Sequence, residues 1–294
     1  MNLKAIEITK DVLKEIYKER PRDARRYHYG LLLIIGGSQF YSGPPAFAGL
    51  SAYRAGVDVV RIIAPKRAAD IIASFSPLLA AYPLEGNLLT KGHLATLLSM
   101  TEAAKAVTHG KTAVLIGGGL GRTEETQKTI IEYLSNINIP AVIDADAIRA
   151  VAEAPECFRG KPFLFTSHNR EFSILTGKDI YESPEEEKIE TVKREAERLQ
   201  TTILWKGPED IVSDGKEVAI NRTGSPYMSK GGTGDTLAGI AGAIMARNIP
   251  AFVAGQAAAF INGKAGEVAA EKLKESLYPT DIIDEITNVI NQPG

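Results

Sequence analysis

The sequence predicts an α/β fold, with a central, mostly parallel sheet flanked by helices on both faces and finished by an antiparallel edge. Three observations predict it. Short apolar runs rich in β-branched residues recur along the chain, as buried strands do. Helical patterns separate several of them, and strand alternating with helix produces a parallel sheet. After Trp205 the pieces shorten and are separated by Asp214-Gly215, a favoured hairpin turn, which introduces antiparallel pairing.

In chain order, residues 9–20 read as an N-terminal helix. Leu31 to Ile35 is the first buried strand and runs into Gly36-Gly37-Ser38. Pro45 to Ala55 is a helix, with proline near its first turn and Gly56 at its end. Strands follow at Val57 to Ala64, Thr112 to Ile116, Pro140 to Ile143, Phe163 to Phe165 and Thr202 to Trp205. Between the last two, Ser183 to Leu199 reads as a helix with a Ser183/Glu186 capping box. Ile189, Val192, Ala196 and Leu199 share its inner face, and its charged residues form a solvated outer one. Asp210 to Ser213 and Glu217 to Asn221 form the hairpin. Thr236 to Arg247 and Phe252 to about Leu273 are helices whose Ala and Gly content suits close packing. No repeat, low-complexity tract or long linker divides the chain, so a single domain over residues 1–294 is expected.

Hydrophobic residues make up 44% and charged residues 24% of the chain, with a net charge of −2. These proportions exclude a disordered chain and give no global attraction to nucleic acid or an anionic membrane, so any phosphate binding is local. Cys157 stands alone, which excludes an intrachain disulfide and a cysteine-cluster metal site and fits a reducing compartment. No apolar run reaches the roughly 20 residues of a spanning helix, and no leader pattern opens the chain. A cytoplasmic protein with no membrane or nucleic-acid partner is expected.

The chemistry concentrates at Gly231-Gly232-Thr233-Gly234-Asp235, followed by Leu237, Ile240, Ala241 and Ile244 at helical spacing. A glycine-rich turn at a helix start points several N–H groups at one spot, and the helix dipole favours an anion there. Asp235 is out of place beside an anion unless it has separate work. Either it takes a proton from a substrate hydroxyl, or it caps the helix and the glycines merely turn the chain.

A second glycine run, Gly117-Gly118-Gly119-Leu120-Gly121, follows a strand and is succeeded by Asp144-Ala145-Asp146 after the next one. Its spacing misses the dinucleotide fingerprint, but strand ends of this kind carry ligands, so Gly119, Gly121 and Asp144 are contact candidates. His168 and Glu171 follow the strand at Phe163 to Phe165, and Lys206-Gly207 follows the one at Thr202 to Trp205. His168 is a ligand contact or a loop cap; Lys206 meets a phosphate or ends a strand. The four histidines have no metal-ligand spacing. Neither a P-loop nor a Gly-x-Ser-x-Gly elbow is present.

Taken in order, these segments resemble the ADP/ATP-dependent NAD(P)H-hydrate dehydratases, repair enzymes with a ribokinase-like fold. The similarity runs from Arg20 to Gly30 through Gly36 to Gly43, Ala52 to Gly56, Gly117 to Gly121, Asp144 to Asp146, Thr166 to Phe172, Lys206-Gly207 and the Gly231 to Asp235 turn, ending at Tyr278 to Asp281. It implies phosphorylation of the hydroxyl at C6 of the hydrated nicotinamide ring, activated by Asp235, and then loss of phosphate. It also implies Gly119, Gly121, His168, Pro44 and Asp235 as contacts of the NADH or NADPH hydrate. Nucleotide contacts would be Lys206, Gly207, Asp210, Gly231, Gly232, Thr233 and Gly234. Mg²⁺ would bridge the phosphates of the ADP or ATP co-substrate, with Glu171 as a further candidate contact. Assembly into a homo-oligomer, and a separate epimerase acting on the same substrate, are implied as well. The chain departs from the family pattern at Pro44-Pro45, at Gly118, at Thr223-Gly224 and in Ser167-His168-Asn169-Arg170-Glu171. Two alternatives compete: a ribokinase-like sugar or vitamin kinase using the same Asp235, and a nucleotide-binding module without catalysis.

Overall fold

A computed structural model describes residues 5–291. Ten strands among these residues form one sheet: β1 (Ile6–Glu7), β2 (Leu31–Ile35), β3 (Val59–Pro65), β4 (Ala80–Leu84), β5 (Thr112–Ile116), β6 (Ala141–Ile143), β7 (Phe163–His168), β8 (Thr202–Lys206), β9 (Asp210–Ser213) and β10 (Val218–Asn221). Their order is β1-β10-β9-β8-β7-β6-β5-β2-β3-β4. Among the described residues β9 alone runs against the others, and the antiparallel β8–β9 and β9–β10 pairings lie toward one edge. The mostly parallel sheet with an antiparallel edge is thus as the sequence predicts.

Among the described residues ten α-helices cover the two faces: α1 (Gly43–Arg54), α2 (Lys66–Phe75), α3 (Leu94–Thr108), α4 (Glu124–Asn136), α5 (Asp146–Val151), α6 (Asn169–Thr176), α7 (Glu185–Leu199), α8 (Thr233–Met245), α9 (Ala251–Leu273) and α10 (Pro279–Asn291). Side chains alternate across each strand. Leu32, Ile34, Ile62, Leu115 and Leu164 therefore pack with α1, α2, α8, α9 and α10. Leu33, Ile35, Val114, Phe163 and Trp205 pack on the other face with α3 to α7. Helix α8 is buried over most of its length, and a Cβ on Gly239 would lie 2.2 Å from the carbonyl oxygen of Ala48, so α1 and α8 touch backbone to backbone.

Three expectations need correction. Residues 9–20 do not form a helix: only Lys10–Leu13 makes a 3-10 turn, capped by Thr9. A short isolated helix is marginal, and here the segment is pinned instead by the Tyr17 hydroxyl donating to the Ala55 carbonyl and by Arg20 against Asp58 and Gly56. The Ser183 capping box is not formed. Ser183 N–H closes a turn onto the Ile180 carbonyl, and α7 begins one residue later, after Pro184. The hairpin loop spans residues 214–217 because Ser213 pairs with Val218, while the Asp214 carboxylate accepts the N–H groups of Lys216 and Glu217 at 2.9 Å each. Strand β7 also outruns its apolar stretch. Thr166, Ser167 and His168 continue the ladder opposite Leu204, Trp205 and Lys206, so polar residues are carried to the sheet's carboxyl edge.

The chain proceeds from β2 outward to β3 and β4, then returns to β5 on the other side of β2. The carboxyl ends of β2 and β5 therefore flank a topological switch point, where open α/β sheets bind ligands.

Candidate active site

Just outside that switch point Gly36, Gly118, Pro44 and Pro45 line a small cavity that also receives Asp144 and Asp235. Each wall follows from local chemistry. Pro44 and Pro45 occupy the first turn of α1, where a missing N–H costs nothing. Gly118 has room for no side chain, since a Cβ there would stand 2.9 Å from the Pro44 Cβ and 3.0 Å from Asp235 Oδ1. Gly232 turns the chain into α8 with a φ of 103°, left-handed backbone that favours glycine. Thr233 locks the turn by donating to the carbonyls of Met228 and Lys230 at 2.8 and 2.9 Å. Asp235 then falls in the first turn of α8, whose leading N–H groups lack intrahelical acceptors.

A charge cluster surrounds Asp235. Lys206, at the end of β8, sets its ammonium 3.3 Å from Asp144 Oδ1, and that oxygen also accepts from the Thr166 hydroxyl at 2.8 Å. A Cβ on Gly234 would lie 3.3 Å from the same ammonium, so Lys206 sits directly under the glycine turn. Burial pushes the Asp235 carboxyl up to about 7; Asp144 and Glu171 push the same way and Lys206 opposes them. Burial raises Asp144 as well, against the pull of Lys206 and Thr166. For Lys206 burial works to lower the pKa, but the surrounding carboxylates outweigh it and hold the ammonium above its ordinary value. Asp144 is thus central, although the sequence marks it only as a strand-end candidate.

His168 is a cap. Its Nδ1 accepts the N–H groups of Arg170 and Glu171 at 3.1 and 3.4 Å, which places the ring proton on Nε2, 3.2 Å from Glu171 Oε1. The His168 backbone N–H binds the other Glu171 oxygen at 2.9 Å. Burial works to raise Glu171, yet His168 and then Lys206 hold it below the usual carboxylate range.

The remaining candidates divide. Gly119, with a φ of 70°, abuts Tyr41, whose Cβ would be 2.7 Å from a side chain there. Gly121 donates its N–H to Asp146 at 3.0 Å, beside the cavity loop. Gly207 flanks Lys206, and Asp210 sits behind it, accepting the Gly207 N–H at 3.3 Å and the Asn221 amide at 3.1 Å. Burial pushes Asp210 up to about 6 against those two bonds. Gly231 is exposed at the outer end of the turn. Among the described residues no group of three or more His, Cys, Asp or Glu side chains is arranged to hold a metal ion, and no helix is long and apolar enough to cross a membrane.

Comparison with known proteins follows the same lines. A family model described as NAD(P)H-hydrate dehydratase matches residues 32–288. A bifunctional NAD(P)H-hydrate repair enzyme of Hyperthermus butylicus is 38% identical over 285 residues, covering 94% of this chain and 52% of that protein. The chain spans about half the length of the first curated relatives it matches. An ADP-dependent (S)-NAD(P)H-hydrate dehydratase of Cenarchaeum symbiosum is 35% identical over 287 residues and covers 96% of each. Among solved structures, a ribokinase-like superfamily protein from Enterococcus faecalis superposes with a TM-score of 0.82 at 23% identity, over 97% of this chain and 95% of the other. The ADP/ATP-dependent NAD(P)H-hydrate dehydratase of Bacillus subtilis, co-crystallised with ATP and Mg²⁺, gives 0.79 at 23% identity over 97% of both. These two structures share the fold, which is ribokinase-like.

Proposed function

The chain belongs to the NAD(P)H-hydrate dehydratase family, and from that premise we propose that it restores hydrated NADH and NADPH by ADP- or ATP-dependent dehydration. The observation that carries this reading is the half-buried Asp235 carboxyl, raised to about 7, set between the switch-point cavity and the first turn of α8 with Lys206 beneath it. A base that ionises near neutrality suits proton removal from a hydroxyl.

Asp235 takes the proton of the C6 hydroxyl as that oxygen bonds to the terminal phosphorus of the nucleotide. The bond to the leaving nucleotide oxygen breaks, so ADP yields AMP and ATP yields ADP. Phosphate then departs from C6 with the bonding electrons, a proton leaves C5, and the ring double bond returns. Hydroxide is a poor leaving group and phosphate a good one. Lys206 and the free N–H groups of α8 face the phosphates and stabilise the charge that develops on them. Gly207 and Gly234 border that cradle, Thr233 and Asp210 hold its backbone in place, and Pro44 and Gly119 wall the acceptor side. His168 orients Glu171 rather than offering a free ring nitrogen.

Mg²⁺ would arrive with the nucleotide phosphates, whose charge it would screen. Both Glu171 oxygens accept from His168, so this carboxylate would add negative charge to the ion's surroundings rather than a direct ligand.

With Mg²⁺ and either nucleotide, the protein is expected to restore the near-ultraviolet absorbance of NADPH from its hydrate. Asp235→Asn should remove this activity, by about 10²-fold or more. A folded wild-type protein that leaves the hydrate unchanged with both nucleotides but phosphorylates a sugar would replace this reading with a kinase.

A further inference from the structure

Beside the charge cluster a cleft is lined by Arg122, Asp146, Arg149, His168, Arg170 and Glu171, among others. Both acidic side chains in it are committed. Asp146 accepts Arg122 Nε at 2.8 Å and the Gly121 N–H at 3.0 Å, and both oxygens of Glu171 accept from His168. Arg149 projects from α5, and Arg170 from the first turn of α6, at the carboxyl ends of the adjacent strands β6 and β7. Neither guanidinium makes an ion pair or side-chain hydrogen bond among the described residues. Two uncompensated guanidinium groups in one concave surface are a recognition element for phosphate, since each presents a planar fork of donors to anionic oxygens.

Strand pairing sets this cleft beside the chemistry: His168, which lines it, stands opposite Lys206 at the ends of β7 and β8. The cleft therefore adjoins the charge cluster where the reacting ring must lie, and in a dinucleotide the pyrophosphate is joined to the nicotinamide through a single ribose. The 2′-phosphate of NADPH lies beyond it, on the adenosine ribose.

We propose that Arg149 and Arg170 form a guanidinium clamp for the pyrophosphate of the dinucleotide substrate, an inference that rests on the dehydratase reading for the identity of the ligand. Because NADH and NADPH hydrates share that group, the clamp binds both equally. It sets substrate affinity and leaves the phosphoryl-transfer geometry alone.

The test is steady-state kinetics of the full chain with Arg149→Ala, Arg170→Ala and the double variant, on both hydrates, with direct titration of NADH and NADPH as unreactive dinucleotides. Each single variant is expected to raise KM for both hydrates by about tenfold and to weaken binding of both reduced dinucleotides alike, while kcat and KM for ADP or ATP stay within about twofold. Arg170→Lys should recover part of the loss, since it keeps the charge without the fork. Loss confined to NADPH and its hydrate would overturn the assignment in favour of the 2′-phosphate, and unchanged KM and binding for both would remove the clamp altogether. If the wild type binds NADH and the variants do not, yet no hydrate is dehydrated, the clamp stands and the dehydratase reading falls.

Discussion

Asp235 gathers most of what can be tested at a single residue. Its raised pKa has burial as the first cause, so its ionised form is scarce below about pH 7. As the proposed base it works only when ionised, and kcat/KM, which reports the unliganded protein, is expected to rise with pH through about 7 and then level off. The effect on stability has the opposite sign. The carboxyl holds its proton in the folded protein at pH values where an unfolded aspartate, with an ordinary value of 3.8, has lost it. The resulting stabilisation is complete below about pH 4 and disappears as pH rises through about 7. Asp235→Asn, always neutral, should therefore be more stable than the wild type at pH 8, on the order of 2 kcal/mol, and about equal to it near pH 4, as chemical denaturation at the two pH values would show. The place of Asp235 in the first turn of a buried helix was legible in the sequence, where its role stood as two alternatives, a base or a helix cap. The Asp144–Lys206 pair was not, since the two residues are joined across β7 through a contact between distant strand ends. His168 was legible only as two alternatives, and its local bonds realise the capping one. Removing that cap in His168→Ala should cost about 1 kcal/mol of stability and release Glu171.

Contacts between elements account for the next layer. The α1–α8 crossing is closest at Gly239, where even a methyl group meets the Ala48 carbonyl at 2.2 Å and the Ser51 hydroxyl at 2.3 Å. Gly239→Ala is expected to cost about 1–3 kcal/mol in denaturant unfolding. It should also lower kcat, because α1 carries Pro44 and α8 carries Asp235. Buried strands and the two alanine-rich helices were readable since their whole sequence is apolar. Strand β4 was not: Ala80-Ala81-Tyr82-Pro83-Leu84 contains a proline and is mostly exposed, features of a sheet edge. Its place is set by pairing with β3, which no local pattern records. The end of β7 escaped for a related reason, as the ladder there depends on β8 and not on the polar residues that form it.

Over the whole molecule, the reversal of strand order between β2 and β5 decides where everything else converges. The glycine runs of residues 36–37 and 117–121 end strands on either side of it, and the helix bearing Asp235 packs across from one face. The proposed nucleotide would touch elements from both halves of the sheet and should stabilise the fold as a unit. At a free concentration near 100 times Kd, ADP or ATP with Mg²⁺ is expected to add about 2.7 kcal/mol, and comparing the two melting shifts at equal concentration identifies the preferred co-substrate. The three carboxyls gathered around one ammonium have a further consequence. Phosphate arriving beside them makes a third ionised carboxyl still more costly, so the nucleotide and the proton on Asp235 become co-ligands of one site, each raising the affinity of the other by the same factor. Binding above neutrality then draws a proton from the buffer, and the hydroxyl of the acceptor meets a base whose readiness is set by how much of the phosphate charge the accompanying cation has neutralised.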